Sequence, residues 1–245
     1  MKLSPQERAE RRDAFRRMDA RQKADYIFAY YKAPILLGVI LIAVLCSAIH
    51  RQLTRKEPVL YAALVNVSVG EALEDALTAQ FLEASGADAR RQEVYLYRDL
   101  YLSDDASVVN HEYAYASRLK LLGAINAQRL DVVLMNQEGY DILSQSGYLL
   151  DLSEPLSQDA ALRQRLEPYL TENAVILEDN AIEYNLNEAS SYRAVTESVA
   201  NALDASALPR FRSAGFPDAV YLGVIANCAR TDRALAYLAF LTEPL

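Results

Sequence analysis

The chain has 245 residues, enough for one large domain or two small ones. Residues 1–56 carry 12 Lys or Arg against 5 Asp or Glu, whereas residues 57–245 carry 13 against 28, a net charge of −15. Such an acidic region repels nucleic acid, which is bound by Lys and Arg that displace phosphate counterions. The two cysteines (Cys46, Cys228) and two histidines (His50, His111) give no disulfide framework and no metal-site spacing.

Residues 1–32 are predicted to form a basic juxtamembrane helix in the cytoplasm. Ser4-Pro5-Gln6-Glu7 is a capping box with proline at the first helical position. The Arg-rich face that follows suits anionic lipid headgroups or a cytoplasmic partner. The same Arg-rich face is equally consistent with a solvated helix whose positive charge only sets the membrane topology.

Residues 33–50 are predicted to be a single transmembrane helix. The run APILLGVILIAVLCSAI (33–49) contains no charge, and its 17 residues are at the short end for a bilayer span. The excess of Lys and Arg on its N-terminal side favours a cytoplasmic N-terminus, which places the C-terminal region outside the cytoplasm. One alternative is a core helix, which should show a polar face that this run lacks. The other is a cleaved signal peptide with a site at Cys46-Ser47-Ala48, although a 32-residue n-region is very long.

After a linker (51–58), residues 59–245 are predicted to form an extracytoplasmic α/β domain. The apolar run at 59–67 is typical of a strand buried on both faces, and the capping box Ser68-Val69-Gly70-Glu71 opens a helix. The segment 92–102 alternates and predicts a half-exposed strand. Its apolar face is expected to contain Val94, Leu96, Leu100 and Leu102, opposite Tyr95, Tyr97, Asp99 and Tyr101.

The second half of the domain continues the alternation of strands and helices. A helix over about 113–129 is expected to bury Tyr115, Leu119 and Leu122, and 131–135 is the next buried strand, with Asn136 capping a short helix. Further predicted elements are a hairpin of 174–178 and 181–186 around Asp179-Asn180, a polar helix over 188–203, a strand at 221–226, and a closing helix over 232–242 capped by Thr231. This order predicts an α/β fold with one mainly parallel, mixed sheet lobe flanked by helices.

Two stretches of the domain resemble extracellular solute-binding proteins of the type II periplasmic-binding fold. The first is AINAQRLDVVLMNQEGYDILSQSGYLLDLSEP (124–155), with a helix, a "DVV-M" strand and a Leu-Leu-Asp-Leu step; the second is the C-terminal YLGVIANCARTDRALAYLAFLTE. The resemblance implies a solute site between two lobes. Residues 153–215 are too few for an ordinary second lobe, and the chain has no Trp for stacking on a sugar. We therefore expect a reduced, membrane-tethered relative in which 153–215 form a reduced second subdomain.

Candidate ligand-binding residues follow from the rule that ligands sit at the carboxyl ends of strands in open α/β sheets. Helix N-termini there can accept an anion, and carboxylates can receive a cation or amine, although each residue also has an ordinary structural role as a cap or solvated loop residue. The predicted site residues are Asn66, Ser68, Asp104, Asp105, Asn136, Glu138 and Asn227.

Signatures of enzymes are absent from the sequence, so no catalytic residue, metal ligand or cofactor is predicted. Two functions stay open. The first is a membrane-anchored, solute-binding-like module that senses or presents a small ligand. The second is a non-catalytic interaction subunit that docks another membrane protein and binds no small molecule. A strand-end pocket favours the first, and a filled strand-end surface with an exposed apolar patch favours the second.

Overall fold

The structure is a computed structural model that describes residues 19, 34, 36–47, 56–104, 110–186, 191–212 and 214–243. The chain divides into a unit of residues 1–55 and a compact unit of residues 56–245. Apart from Asp19, the predicted basic helix lies outside the described residues, as do 51–55 of the linker.

Within the first unit, residues 36–47 are helical and their apolar side chains are largely exposed, Leu37 by 70% and Ile40 by 52%. Among the described residues, no helix is long and apolar enough to cross a bilayer. The ends of the predicted span, including 48–50, fall outside those residues. The transmembrane helix therefore stays a prediction.

Residues 56–245 form an α/β unit built on one mixed six-stranded sheet. Its strands are β1 (Glu57–Val65), β2 (Gln92–Leu100), β3 (Val132–Asn136), β4 (Leu170–Asp179), β5 (Ala194–Asp204) and β6 (Val220–Val224). Their order across the sheet is β2-β1-β3-β6-β5-β4. The sheet is less parallel than predicted, because β1 runs parallel to β2 and β3 while the three other pairings are antiparallel.

Helices cover both faces of this sheet. The helices are α1 (Glu71–Asp75, a π-helical turn Ala76–Gln80 and Phe81–Ala84), α2 (His111–Asn126), α3 (Gln137–Gln145), α4 (Ser153–Gln158), α5 (Ala160–Leu166), α6 (Ala181–Leu186) and α7 (Thr231–Leu241). Short 3-10 turns lie at Glu167–Tyr169, Ala205–Ala207 and Pro209–Phe211. Alternate residues of each strand face opposite sides, so Leu60 and Leu64 of β1 pack in one core with α1 and α7, and Ala63 and Val65 pack in the other with α2 and α3.

The segment 174–203 differs most from the prediction. Residues 181–186 form α6 instead of a hairpin strand, and the predicted polar helix over 188–203 is replaced, over its described part, mainly by β5. The partner of β4 is β5, with Asp179 opposite Ala194. Asp179 and Asn180 do end a strand, but their side chains accept hydrogen bonds from Ala181 N and Arg193 N and so stabilise a longer connection. Residues 153–215 thus supply two strands to the same sheet.

Three local predictions also need correction. The helix α1 begins at Glu71 after Gly70, and Ser68 is an exposed residue that does not cap it. Thr231 is the first residue of α7, whose N-cap, Arg230, makes no side-chain capping bond. A bulge in β2, where Asp99 has φ of 57°, reverses the alternation, so Leu100 packs in the opposite core from Val94.

The helix α2 buries a different face from the one predicted. Its buried residues are Ser117, Leu121, Ala124 and Ile125. Tyr115 and Leu119, predicted to face the core, are 65% and 53% exposed. The helix is apolar on more than one side, and that pattern alone does not identify which side packs against the sheet.

Candidate functional site

Four of the predicted site residues meet at the carboxyl ends of β1, β2 and β3. Asn66 follows β1 in the left-handed region, with φ of 56°. Its amide accepts a hydrogen bond from Leu102 N (2.8 Å) and donates to Leu102 O (2.6 Å), which holds the segment after β2 against the end of β1. Asn66 also donates to Asn136 Oδ1 at 3.2 Å. The amide of Asn66 is therefore largely occupied in joining these strand ends.

Asn136 has the capping role that its position predicts. Its Oδ1 accepts from Gly139 N at 2.9 Å at the start of α3. Gly139 allows a close approach here, because a Cβ at this position would lie 3.1 Å from the Met135 side chain and 3.2 Å from that of Val65. The N-terminus of α3 is thus packed closely against β1 and β3, and its cap is filled by the chain itself.

Two carboxylates of the predicted set are also anchored nearby. Glu138 accepts a hydrogen bond from Ser103 Oγ at 2.5 Å. Asp104 forms an ion pair with Arg118 of α2. Asp105 lies outside the described residues.

Asn227 and Ser68 do not share this arrangement. Because β6 is antiparallel to β3, with Val224 opposite Val132, its carboxyl end lies at the amino end of β3. Asn227 accordingly donates to Ile125 O at the far edge of the sheet. Ser68 is exposed and has no capping role.

A groove runs along α3 on the site side of the sheet. It consists of two neighbouring cavities of about 650 and 400 Å³, which share Asp104, Ile142 and Gln145. We call this feature the α3 groove. Six carboxylates line it: Asp104, Glu138, Asp141, Asp218, Glu178 and Asp179. Among the described residues no Lys or Arg lines either cavity, so the groove has an excess of negative charge.

The wall of the groove is held by hydrogen bonds between side chains. Asp141 Oδ1 accepts from Gln137 Nε2 and Asn173 Nδ2, each at 2.8 Å, which fixes one carboxylate oxygen. Tyr221 donates to Gln137 Oε1 at 2.6 Å and stacks on Tyr140, with ring centroids 4.6 Å apart. Partial burial raises the pKa of Tyr221, and the negative charges of Asp204 and Asp141 raise it further. Tyr221 is therefore a neutral donor at physiological pH.

A buried polar network fastens α3 to β4 and β5 behind this wall. Tyr140 OH donates to Asn201 Oδ1 at 2.9 Å, and Asn201 Nδ2 donates to Ser144 Oγ at 2.8 Å. Ser144 Oγ in turn donates to Ala174 O at 2.9 Å. Asn201 and Ser144 are fully buried. Burial of the Tyr140 phenol raises its pKa, so the network stays neutral.

Sequence reasoning missed Asp141, Asp218, Glu178 and Asp179 as lining residues. Asp218 precedes β6, and only the antiparallel direction of β6 brings it to the carboxyl end of β3. Glu178 and Asp179 reach the groove because β4 extends along α3. No local sequence pattern encodes either placement.

The arrangement offers hydrogen-bond acceptors and negative charge. Within the described part of the chain, no three His, Cys, Asp or Glu side chains come together as potential metal ligands. Comparisons with protein-family models, with curated proteins and with solved structures find no match.

Proposed function

We propose that the chain is a membrane-anchored, extracytoplasmic module related to solute-binding proteins, and that its α3 groove takes a small cationic ligand. The observation that carries the proposal is the set of six carboxylates around a groove that no described Lys or Arg lines, while Arg118 pairs with Asp104 at its margin. An ammonium or guanidinium group would relieve the repulsion among these acids and donate hydrogen bonds to their carboxylate oxygens.

The size and shape of the groove set the expected affinity. Cavities of about 650 and 400 Å³ are in the range of small-molecule sites. The groove is open to solvent, however, and tight sites enclose about 70–90% of a ligand's surface. We therefore expect weak binding of small amines, driven mainly by charge and weakened by salt.

The test is thermal unfolding of the full-length chain in detergent with spermidine, arginine or lysine, and with glucose or glutamate as uncharged and anionic probes. A bound cation should stabilise the folded state by RT ln(1 + [L]/Kd), about 2.7 kcal/mol at a hundredfold excess over Kd. The variant Asp218→Asn/Glu178→Gln should lose the shift, since it removes two groove carboxylates.

The matched control is Asp75→Asn/Glu83→Gln, which changes the net charge equally on α1, away from the groove. This variant should respond to cations like the unmodified chain. Equal loss in both variants would show a general charge effect, and no shift with any cation would reject the cationic-ligand proposal.

A second candidate function, an interaction subunit of a membrane complex, is favoured by a different feature. Residues 173–179 of β4 and 194–199 of β5 pair only with each other within the sheet; we call this ribbon the β4–β5 arm. Leu177 and Val195 on the arm are each 57% exposed, and Ile182 at its end is 81% exposed. Failure of the cation screen, combined with a membrane protein that co-purifies with the unmodified chain but not with Leu177→Ser/Val195→Ser, would favour this function.

A further inference from the structure

The outer edge of β2 pairs with no strand in the part of the chain that the structure describes, because β2 is terminal in the sheet. The backbone N–H and C=O of Tyr61 in β1 point toward β3: the C=O accepts a hydrogen bond from Asp131 N, and the N–H donates to the Asp131 carboxylate. The alternation of a parallel ladder then points the N–H and C=O of Val94 and Leu96 away from β1.

This edge is complementary to itself in one antiparallel register. If two copies pair about a two-fold axis at Tyr95, Val94 of each copy lies opposite Leu96 of the other, and their outward backbone groups can exchange hydrogen bonds. Gln92 lies opposite Arg98, and Tyr95, which is 43% exposed, lies opposite its own counterpart. Apolar, polar and aromatic positions therefore each meet a compatible partner.

Charge selects the same register. Glu93 lies opposite Tyr97 of the second copy, and the Lys120 amine lies 5.7 Å from the centroid of the Tyr97 ring. Each Glu93 carboxylate is thus brought near the Lys120 ammonium of the other copy, and the symmetry forms this contact twice. A shift of the axis to Leu96 would place Glu93 against Asp99, and a shift to Val94 would leave only residues 92–96 of each β2 strand paired.

We propose that two copies of this chain associate through antiparallel pairing of their β2 strands about a two-fold axis at Tyr95, which joins their sheets into one of twelve strands. An exposed edge is a template for pairing with another chain, and an isologous contact requires a self-complementary patch. The register-specific match of charge and size makes a second copy the occupant that fits this edge. The proposal does not depend on a ligand in the α3 groove.

The first test is disulfide formation at the axis. In full-length chain carrying Cys46→Ser and Cys228→Ser, Tyr95→Cys places two thiols at a non-hydrogen-bonded pair, where Cα atoms about 4.5 Å apart suit a disulfide. Mild oxidation should yield a covalent dimer. Tyr115→Cys, an exposed position on α2 that is not part of β2, is the control and should cross-link poorly.

The second test uses charge exchange, with the mass of the full-length chain in detergent measured by light scattering over a concentration series. Glu93→Lys should raise the dimer dissociation constant at least tenfold, because it faces Lys120 of the other copy. Glu93→Lys/Lys120→Glu should restore dimers. The proposal would be overturned by any of three results: an unmodified chain that is monomeric, equal cross-linking at Tyr95→Cys and Tyr115→Cys, or a double variant that dimerises no more tightly than Glu93→Lys. A monomeric unmodified chain would mean that another segment or another partner covers the β2 edge.

Discussion

The carboxylate of Asp131 is fully buried at the amino end of β3, and its negative charge is compensated by the guanidinium of Arg230. Its Oδ2 accepts hydrogen bonds of 2.8 Å from Tyr61 N and from Arg230 Nε, while none of the described residues hydrogen-bonds to Oδ1. The Arg230 guanidinium also lies over the Tyr61 ring, 4.7 Å from its centroid, and donates to Gln128 O. The Asp131 side chain therefore links β1, the start of β3 and the start of α7.

At this residue scale we predict that Arg230→Ala lowers the free energy of unfolding by about 2–4 kcal/mol, since loss of one partner leaves a buried charge uncompensated. The partial exposure of Arg230 keeps the expected loss below that of a fully enclosed pair. Urea unfolding of the full-length chain in detergent measures it. Arg163→Ala is the control, because the Arg163–Glu167 pair is exposed and contributes at most about 1 kcal/mol. Equal effects of the two variants would contradict the structural role of Arg230.

Sequence reasoning locates the two central strands because their burial is continuous along the chain. The run at 59–67 overlaps β1, and DVVLM at 131–135 overlaps β3; β-branched and apolar residues follow one another there because both sheet faces are covered. β5 was missed because Ala194–Ser198 is exposed and has neither a continuous apolar run nor a regular alternation of apolar and polar residues. Its pairing with β4 and β6 is a tertiary effect that overrides local propensity.

The same limit applies to the candidate site. Asn66, Asn136, Glu138 and Asp104 could be placed together because each follows or starts an element adjoining the parallel strands β1, β2 and β3. Asn227 was misplaced because the direction of β6 depends on the path of the chain between α3 and β6. The direction of a strand depends on the topology of the whole sheet, and the five residues of β6 alone do not indicate it.

At the element scale we predict that Val133→Asp prevents folding of residues 56–245. Val133 is fully buried in β3, between Ala63 of β1 and Gly223 of β6. An unpaired buried charge costs several kcal/mol, comparable with a domain's whole stability of about 5–15 kcal/mol. Val195→Asp is the matched control, because Val195 is exposed on β5. A cooperative melting transition for Val133→Asp would show that 131–135 is not a central strand.

At the scale of the whole molecule, the division of charge and the apolar helical segment lead to a prediction of topology. Residues 36–47 expose a nearly unbroken apolar surface, which suits lipid better than water. The Lys and Arg excess lies N-terminal to this segment, and the acidic unit lies C-terminal to it. Under the positive-inside rule, residues 1–32 stay in the cytoplasm and residues 56–245 are exported.

The measurement is labelling with a membrane-impermeant maleimide in intact cells, or in spheroplasts where an outer membrane is present, using chains with Cys46→Ser and Cys228→Ser. Val195→Cys, exposed on the β4–β5 arm, should be labelled without permeabilisation. Ser4→Cys should be labelled only after the membrane is opened, because the predicted topology places residue 4 on the cytoplasmic side. Labelling in the reverse order would invert the topology, and a mature chain that begins near Ile49 would replace the anchor with a cleaved signal peptide. Either result would still leave the α3 groove and the β2 edge available for the tests above, because both belong to residues 56–245.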